Sequence, residues 1–147
     1  MLKQVLAGIF VAAMSLGATS VDANSARDVA QLTNTYRANH GLPPLKVSSL
    51  LERVAAKHGK DMYRHGYFSH KGSDGSRVSQ RARRSGYRYC YIAENIAMGH
   101  RSPNEVLKGW INSRPHRKTL LTKNAAEIGV IREKGDIWVM VVGQPGC

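Results

Sequence analysis

Acidic residues are scarce in this chain, and cysteine and phenylalanine are scarcer still. Ten Asp and Glu stand against twenty-two Lys and Arg over 147 residues, a formal net charge of +12. A field of that sign draws anionic partners: lipid head groups, acidic cell-wall polymers, extracellular nucleic acid. The bland alternative is a set of solvated helix faces that keep the protein in solution. Two Phe, two Trp and six Tyr in 147 residues are a thin interleaving of aromatics for the stacking platforms of single-stranded nucleic-acid binders, so nothing favours nucleic acid. No hydrophobic run follows the one at the N-terminus, which excludes a second membrane span. No H-E-x-x-H and no G-x-S-x-G occurs, which removes the commonest hydrolase signatures. Internal repeats and low-complexity segments are absent too.

The N-terminal run has the layout of a secretory leader. Lys3 supplies the positive start, and Val5 to Ala18 are apolar but short for a bilayer. Val21-Asp22-Ala23 then offers small or branched residues to a signal peptidase, so cleavage is expected after Ala23. An uncleaved anchor is the alternative. Residues 1–23 carry one base and one acid, and the mature charge stays +12. The expectation is a signal peptide over 1–23, one domain over 24–147, and an exported protein, periplasmic or secreted and monomeric. Export fits the cysteines. Cys90 and Cys147 are an even pair, and in an oxidising compartment they most simply form one disulfide. A catalytic or metal-binding pair is the rival reading, without the C-x-x-C spacing that would support it.

Hydrophobic periodicity predicts four helices. The first follows Ser25 over Ala26 to His40 and stops at Gly41. The second starts at the capping box Ser49-Leu50-Leu51-Glu52 and ends near Gly66. A short basic third helix runs from Ser76 to Ser85. The fourth starts at Ser102-Pro103-Asn104-Glu105, with a capping Ser, Pro at the first position and Glu at the third, and breaks before Pro115. Tyr89 to Ala93 reads as a strand feeding a tight turn. Glu127 to Arg132 and Asp136 to Val142 read as a hairpin turning at Gly135. Ile128, Val130, Ile137, Val139 and Val141 form one apolar series and Trp138, Met140 and Val142 a second. The sheet is therefore expected between helices.

Three segments stand outside these patterns: Tyr67-Phe68-Ser69-His70, Ala93-Glu94-Asn95-Ile96-Ala97, and Trp110-Ile111-Asn112-Ser113-Arg114-Pro115-His116-Arg117. They suggest separate pieces of backbone converging on one cleft. Together with Tyr36-Arg37, Ala55-Ala56-Lys57-His58, Arg81, Gly86-Tyr87, Ser102-Pro103 and Glu127-Ile128-Gly129-Val130, they resemble the CAP superfamily: cysteine-rich secretory proteins, antigen 5 and plant pathogenesis-related proteins of group one. The closest likeness is to its short, exported, single-domain bacterial branch. It covers essentially the whole chain after the leader.

The resemblance implies an α+β fold, a three-layer α-β-α sandwich with a small antiparallel sheet. It also implies a cleft lined by a His, Glu, Glu, His tetrad. By motif the first His falls on His70, the first Glu on Glu94 and the second His on His116. The second Glu falls on Ser113, a departure shared with the bacterial branch that puts a tetrad-wide acid/base mechanism in doubt. Ala93 replaces the usual Gly, and Arg114-Pro115 replaces Pro-Gly, adding a positive charge that disfavours a cation.

His70, His116 and Glu94 are the right donors for a divalent metal such as zinc: two neutral imidazoles, one carboxylate and one open position. Glu94 has a second available role, fixing a His tautomer from behind. The alternative is a polar network that locks the cleft loops without a metal. His58 lies on a buried helix stripe and reads as a satisfied core histidine, and Trp110 reads as core. The reading that follows is a non-catalytic binding module whose cleft takes a small anionic or lipid-like ligand, with or without the metal. One alternative is a metal-dependent hydrolase with Glu94 as base beside His70 and His116. The other is an interaction protein whose basic face, with Arg83 and Arg84, meets anionic polymers or the cell wall.

Overall fold

The computed structural model describes residues 19–147; the apolar core of the expected leader, Val5 to Ala18, lies outside them. The elements in chain order are α1 (Thr19–Ala38), β1 (Lys46–Val47), α2 (Ser49–His65), α3 (Val78–Arg84), β2 (Tyr89–Met98), α4 (Pro103–Asn112), α5 (Arg114–Leu120), β3 (Glu127–Glu133) and β4 (Ile137–Pro145). The strands form one sheet in the order β1-β3-β4-β2. β2, β4 and β3 are antiparallel neighbours, and β1 adds two residues parallel to β3.

Helices cover both faces of the sheet. Ala26, Val29, Ala30, Val106, Leu107, Trp110 and Leu120 bring α1, α4 and α5 onto one face. Leu51, Val54, Ala55, Met62 and Ala82 bring α2 and α3 onto the other. This is the expected three-layer sandwich. Register decides how the apolar strand residues divide. Ile128 pairs with Val142 and Val130 with Met140, and cross-strand neighbours share a face. Ile128 and Val130 therefore join Trp138, Met140 and Val142 beneath α1, while Ile137, Val139 and Val141 face α2. The single series proposed across both strands is corrected accordingly.

Local signals held at several boundaries and were overruled at others. Ser102 caps α4 by accepting from the Glu105 amide, with Pro103 in the first turn. α2 is capped by Ser48 rather than Ser49. The Ser48 amide donates to the Ile128 carbonyl at the end of β1, so the chain leaves the sheet there and the helix begins one residue later. α1 begins at Thr19 instead of after Ser25, because nothing from 19 to 25 breaks a helix once its packed turns have nucleated it. α5 was not expected. Pro115 falls in its first turn, where the missing amide hydrogen is no loss. β2 runs on through Glu94-Asn95-Ile96-Ala97 instead of turning there, because β4 offers an unbroken partner from Ile137.

One glycine locks the two layers. A Cβ on Gly129 would lie 2.3 Å from the Glu52 amide nitrogen, so only glycine lets the first turn of α2 sit against β3. At the far end, Cys90 and Cys147 are joined by a disulfide with Cα atoms 5.0 Å apart, tying the last residue to β2.

Candidate functional site

The site is organised around Glu94 in β2. Successive residues of a strand face opposite sides, so Glu94 turns toward α2 and α3 while Asn95 turns toward α4 and α5. The candidate residues therefore divide around one edge of the sheet.

On the Glu94 side, two donors take both carboxylate oxygens. His70 Nδ1 lies 2.8 Å from Oε1, and Arg81 Nη2 lies 2.7 Å from Oε2. An ionised carboxylate only accepts, so Nδ1 of His70 carries the hydrogen and Nε2 carries the lone pair when the ring is neutral. Arg81 also donates to the carbonyls of His70 and Ser76, pinning the loop that delivers the histidine. His58 is fully buried, donates from Nε2 to the Ser69 carbonyl at 2.8 Å, and stands 3.8 Å from Glu94 Oε1. Burial pushes the Glu94 carboxyl upward, but the His70 hydrogen bond and the charges of Arg81 and His58 outweigh it and hold the group below its ordinary value. An anion supplied with that many donors is a weak base.

On the Asn95 side, His116 Nδ1 pairs with Ser113 Oγ at 2.8 Å, within the first turn of α5. The buried Asn95 amide donates to the His116 carbonyl at 3.0 Å and fastens that turn to β2. Burial first, and repulsion from His70 second, lower the His116 imidazole below its ordinary value. His70 and His116 belong to separate hydrogen-bonded groups on the two sides of the sheet edge. The Ser113 contact fixes the orientation of the His116 ring.

His70 is more than half exposed. Beside it opens a cavity of about 340 Å³ lined by His70, Arg77, Val78, Ser79, Ile92 and Glu94. Beneath the loop, the Asp61 carboxylate on α2 accepts from Tyr67, from the Ser73 amide at 2.9 Å and from the Ser73 hydroxyl at 2.6 Å. Those bonds override burial and hold it down to about 2.

The donor set fits a divalent cation in part. Among the described residues no group of three His, Cys, Asp or Glu is placed to hold a metal. The carboxylate oxygens are committed to His70 and Arg81, so of the two roles open to Glu94 the geometry has the tautomer-fixing one.

Sequence reasoning missed the partnership of Arg81 with Glu94. Arg81 was visible in a basic helix, but nothing local distinguishes it from Arg83, which lies over the Tyr89 ring, or Arg84, which pairs with Asp74. His58 is buried as its stripe implied and borders Glu94, but it is not the satisfied core histidine expected: Nε2 bonds the Ser69 carbonyl while Nδ1 is buried without a hydrogen-bond partner among the described residues. Trp110 is core, its Nε1 donating to the Ile96 carbonyl.

The two-faced α-β-α sandwich, with His70 on a loop to one side of the edge Glu94-Asn95 pair and His116 in α5 to the other, matches the fold of solved SCP domains. The model of the cysteine-rich secretory protein family, CAP, matches residues 30–143, and the chain belongs to that family. The chain is 37% identical over 113 residues to YkwD of Bacillus subtilis (strain 168), covering 76% of this chain and 44% of that protein. It is 31% identical to the membrane protein YlbC of the same organism, over 75% of this chain and 32% of the relative. The chain thus spans less than half the length of either. Among solved structures it resembles an SCP-domain extracellular protein from Bacillus anthracis str. Ames, with TM-score 0.83, 28% identity and coverage of 90% of this chain and 45% of that one. An outer surface protein of Borrelia burgdorferi shares the fold at TM-score 0.77 and 23% identity, over 82% of this chain and 92% of that one. No helix among the described residues is long and apolar enough to cross a membrane.

Proposed function

We propose that this is an exported CAP-domain protein that binds rather than turns over, taking a small anionic or lipid-like ligand beside His70. The cavity next to that ring carries the reading. It sets the cationic Arg77 and the hydrogen-bonding His70 against the apolar side chains of Val78 and Ile92, the pairing that an anionic head with a short apolar body requires. Glu94 favours binding over catalysis, since the carboxylate a hydrolase would use as base already accepts from His70 and Arg81. Export rests on the leader-like N-terminus, the disulfide, and the extracellular and outer-surface descriptions of the structural neighbours.

A divalent cation such as zinc belongs to the same proposal. Nε2 of His70 and Nε2 of His116 would hold it, Glu94 keeping the His70 ring in the required tautomer, and the bound ion would supply a Lewis-acidic contact for the ligand's anionic head. Calorimetric titration of the oxidised protein with zinc, and separately with dodecyl phosphate, tests both parts. The double variant H70Q/H116Q is expected to lose zinc binding while still unfolding in one cooperative transition, which shows that it is folded. Arg77→Gln is expected to weaken dodecyl phosphate by about tenfold, the worth of one partly exposed charge pair. Equal affinities in wild type and variants would overturn the reading.

A further inference from the structure

The open edge of the sheet takes no part in the cleft. β1 covers the outer side of β3 only at Glu127 and Ile128, where the Lys46 amide donates to the Ala126 carbonyl and the Ser48 amide to that of Ile128. The chain then turns away into α2, while β3 continues to Glu133. Backbone groups along a strand alternate in direction. Since Ile128 offers its carbonyl to β1, the amides and carbonyls of Val130 and Arg132 also face outward, where among the described residues no strand pairs with them.

Those residues floor a groove of about 410 Å³ between α1 at Ala26 and Arg27 and the N-terminal half of α2. Ala26 on one wall and Ala56 on the other are small, which leaves room for side chains of an inserted strand in the chain that remains after cleavage at Ala23. Arg27 and Arg53 stand exposed at the rim, and Arg132 adds a third guanidinium, against the single carboxylate of Glu52. Arg132 is already engaged by Asp136 at 2.5 Å. Arg27 and Arg53 have no ion-pair partner among the described residues.

We propose that this edge is a docking site for an extended acidic segment of a partner protein, which adds a strand to β3 beside Val130 and Arg132. Unpaired ladder groups call for a polypeptide, and the rim arginines call for carboxylates on it. A second copy of the chain is disfavoured by the +12 that each copy carries. The chain's own first 22 residues hold one acid, Asp22, and one base, Lys3, and do not complement the rim.

The test uses the full oxidised protein and a blocked heptapeptide alternating Asp and Val. Hydrogen exchange at the Val130 and Arg132 amides is followed by NMR, and affinity by fluorescence polarisation. Saturating peptide is expected to slow exchange at those two amides by at least about fivefold, while amides already bonded to β4 barely change. The variant R27E/R53E, altered only at exposed positions, is expected to bind at least about tenfold more weakly. The same peptide N-methylated at alternate residues is expected to lose binding. Binding that leaves both amides unprotected, or equal binding by a Lys-Val peptide, overturns the proposal. Protection that rises with protein concentration alone also overturns it, by showing a second copy on the edge.

Discussion

Arg81 Nη2 and Glu94 Oε2 meet 2.7 Å apart with 9% and 2% of their side chains exposed. The pair joins α3 to β2, and through the carbonyls of His70 and Ser76 it also holds the loop between α2 and α3. Removing one member of a buried pair leaves the other charge without compensation, at about 3–5 kcal/mol. Arg81→Met is therefore expected to lower the urea-unfolding free energy by about 3 kcal/mol or more. The double variant R81M/E94L should recover a large part of that loss. A double variant no more stable than R81M would show that the charge left behind is not the source of the loss.

Two histidines set a limb of the stability profile near neutrality. Burial lowers His58 against the attraction of Glu94, with Arg81 opposing protonation, and burial with His70 lowers His116. As pH falls through about 6.5 the unfolded chain takes up these protons before the folded one does. The stability they contribute is present above about 6.5 and is lost progressively as pH drops toward the folded values. Urea midpoints measured from about pH 7.5 to about pH 5 should decline for the wild type and decline less steeply for His58→Gln. Parallel curves would exclude His58 as a contributor.

Gly129→Ala is expected to be among the most damaging single-methyl additions in the chain. The new Cβ would collide with backbone of α2 rather than with a flexible side chain, and overpacking of that kind costs about 1–3 kcal/mol, occasionally more. Gly72→Ala meets only side-chain oxygens of Asp74, Ser76 and Asp61 at close range and should cost less. Thermal unfolding of the two variants side by side gives the comparison, and equal losses would remove the claim that α2 docks through this glycine.

The bond between Cys90 and Cys147 spans 57 residues. On the chain-entropy account a loop of that size is worth about 4 kcal/mol. The variant C90S/C147S should lose stability of that order, and its C-terminal residues should exchange amide hydrogen faster than in the oxidised protein. A stability change below about 1 kcal/mol would show that packing of β4 alone secures the tail.

The sequence by itself determined the elements whose signals are local. Ser102-Pro103 starts a helix because the cap and the ring act within one turn. The two alternating runs around Gly135 pair because a tight turn brings them together, and the motif segments carry His70, Glu94 and His116 in a recognisable order. Tertiary structure decided the rest. β2 became ten residues long only because β4 lay beside it. Register, which no single strand encodes, placed Ile128 and Val130 beneath α1. The same pleat sent Glu94 and Asn95 to opposite faces, so residues that look like one cluster in sequence became two linked groups at a sheet edge. The resemblance marked Arg81 among its basic neighbours, but only folding named its partner: a guanidinium finds its carboxylate through folded space, and thirteen residues of sequence do not announce which one it will be.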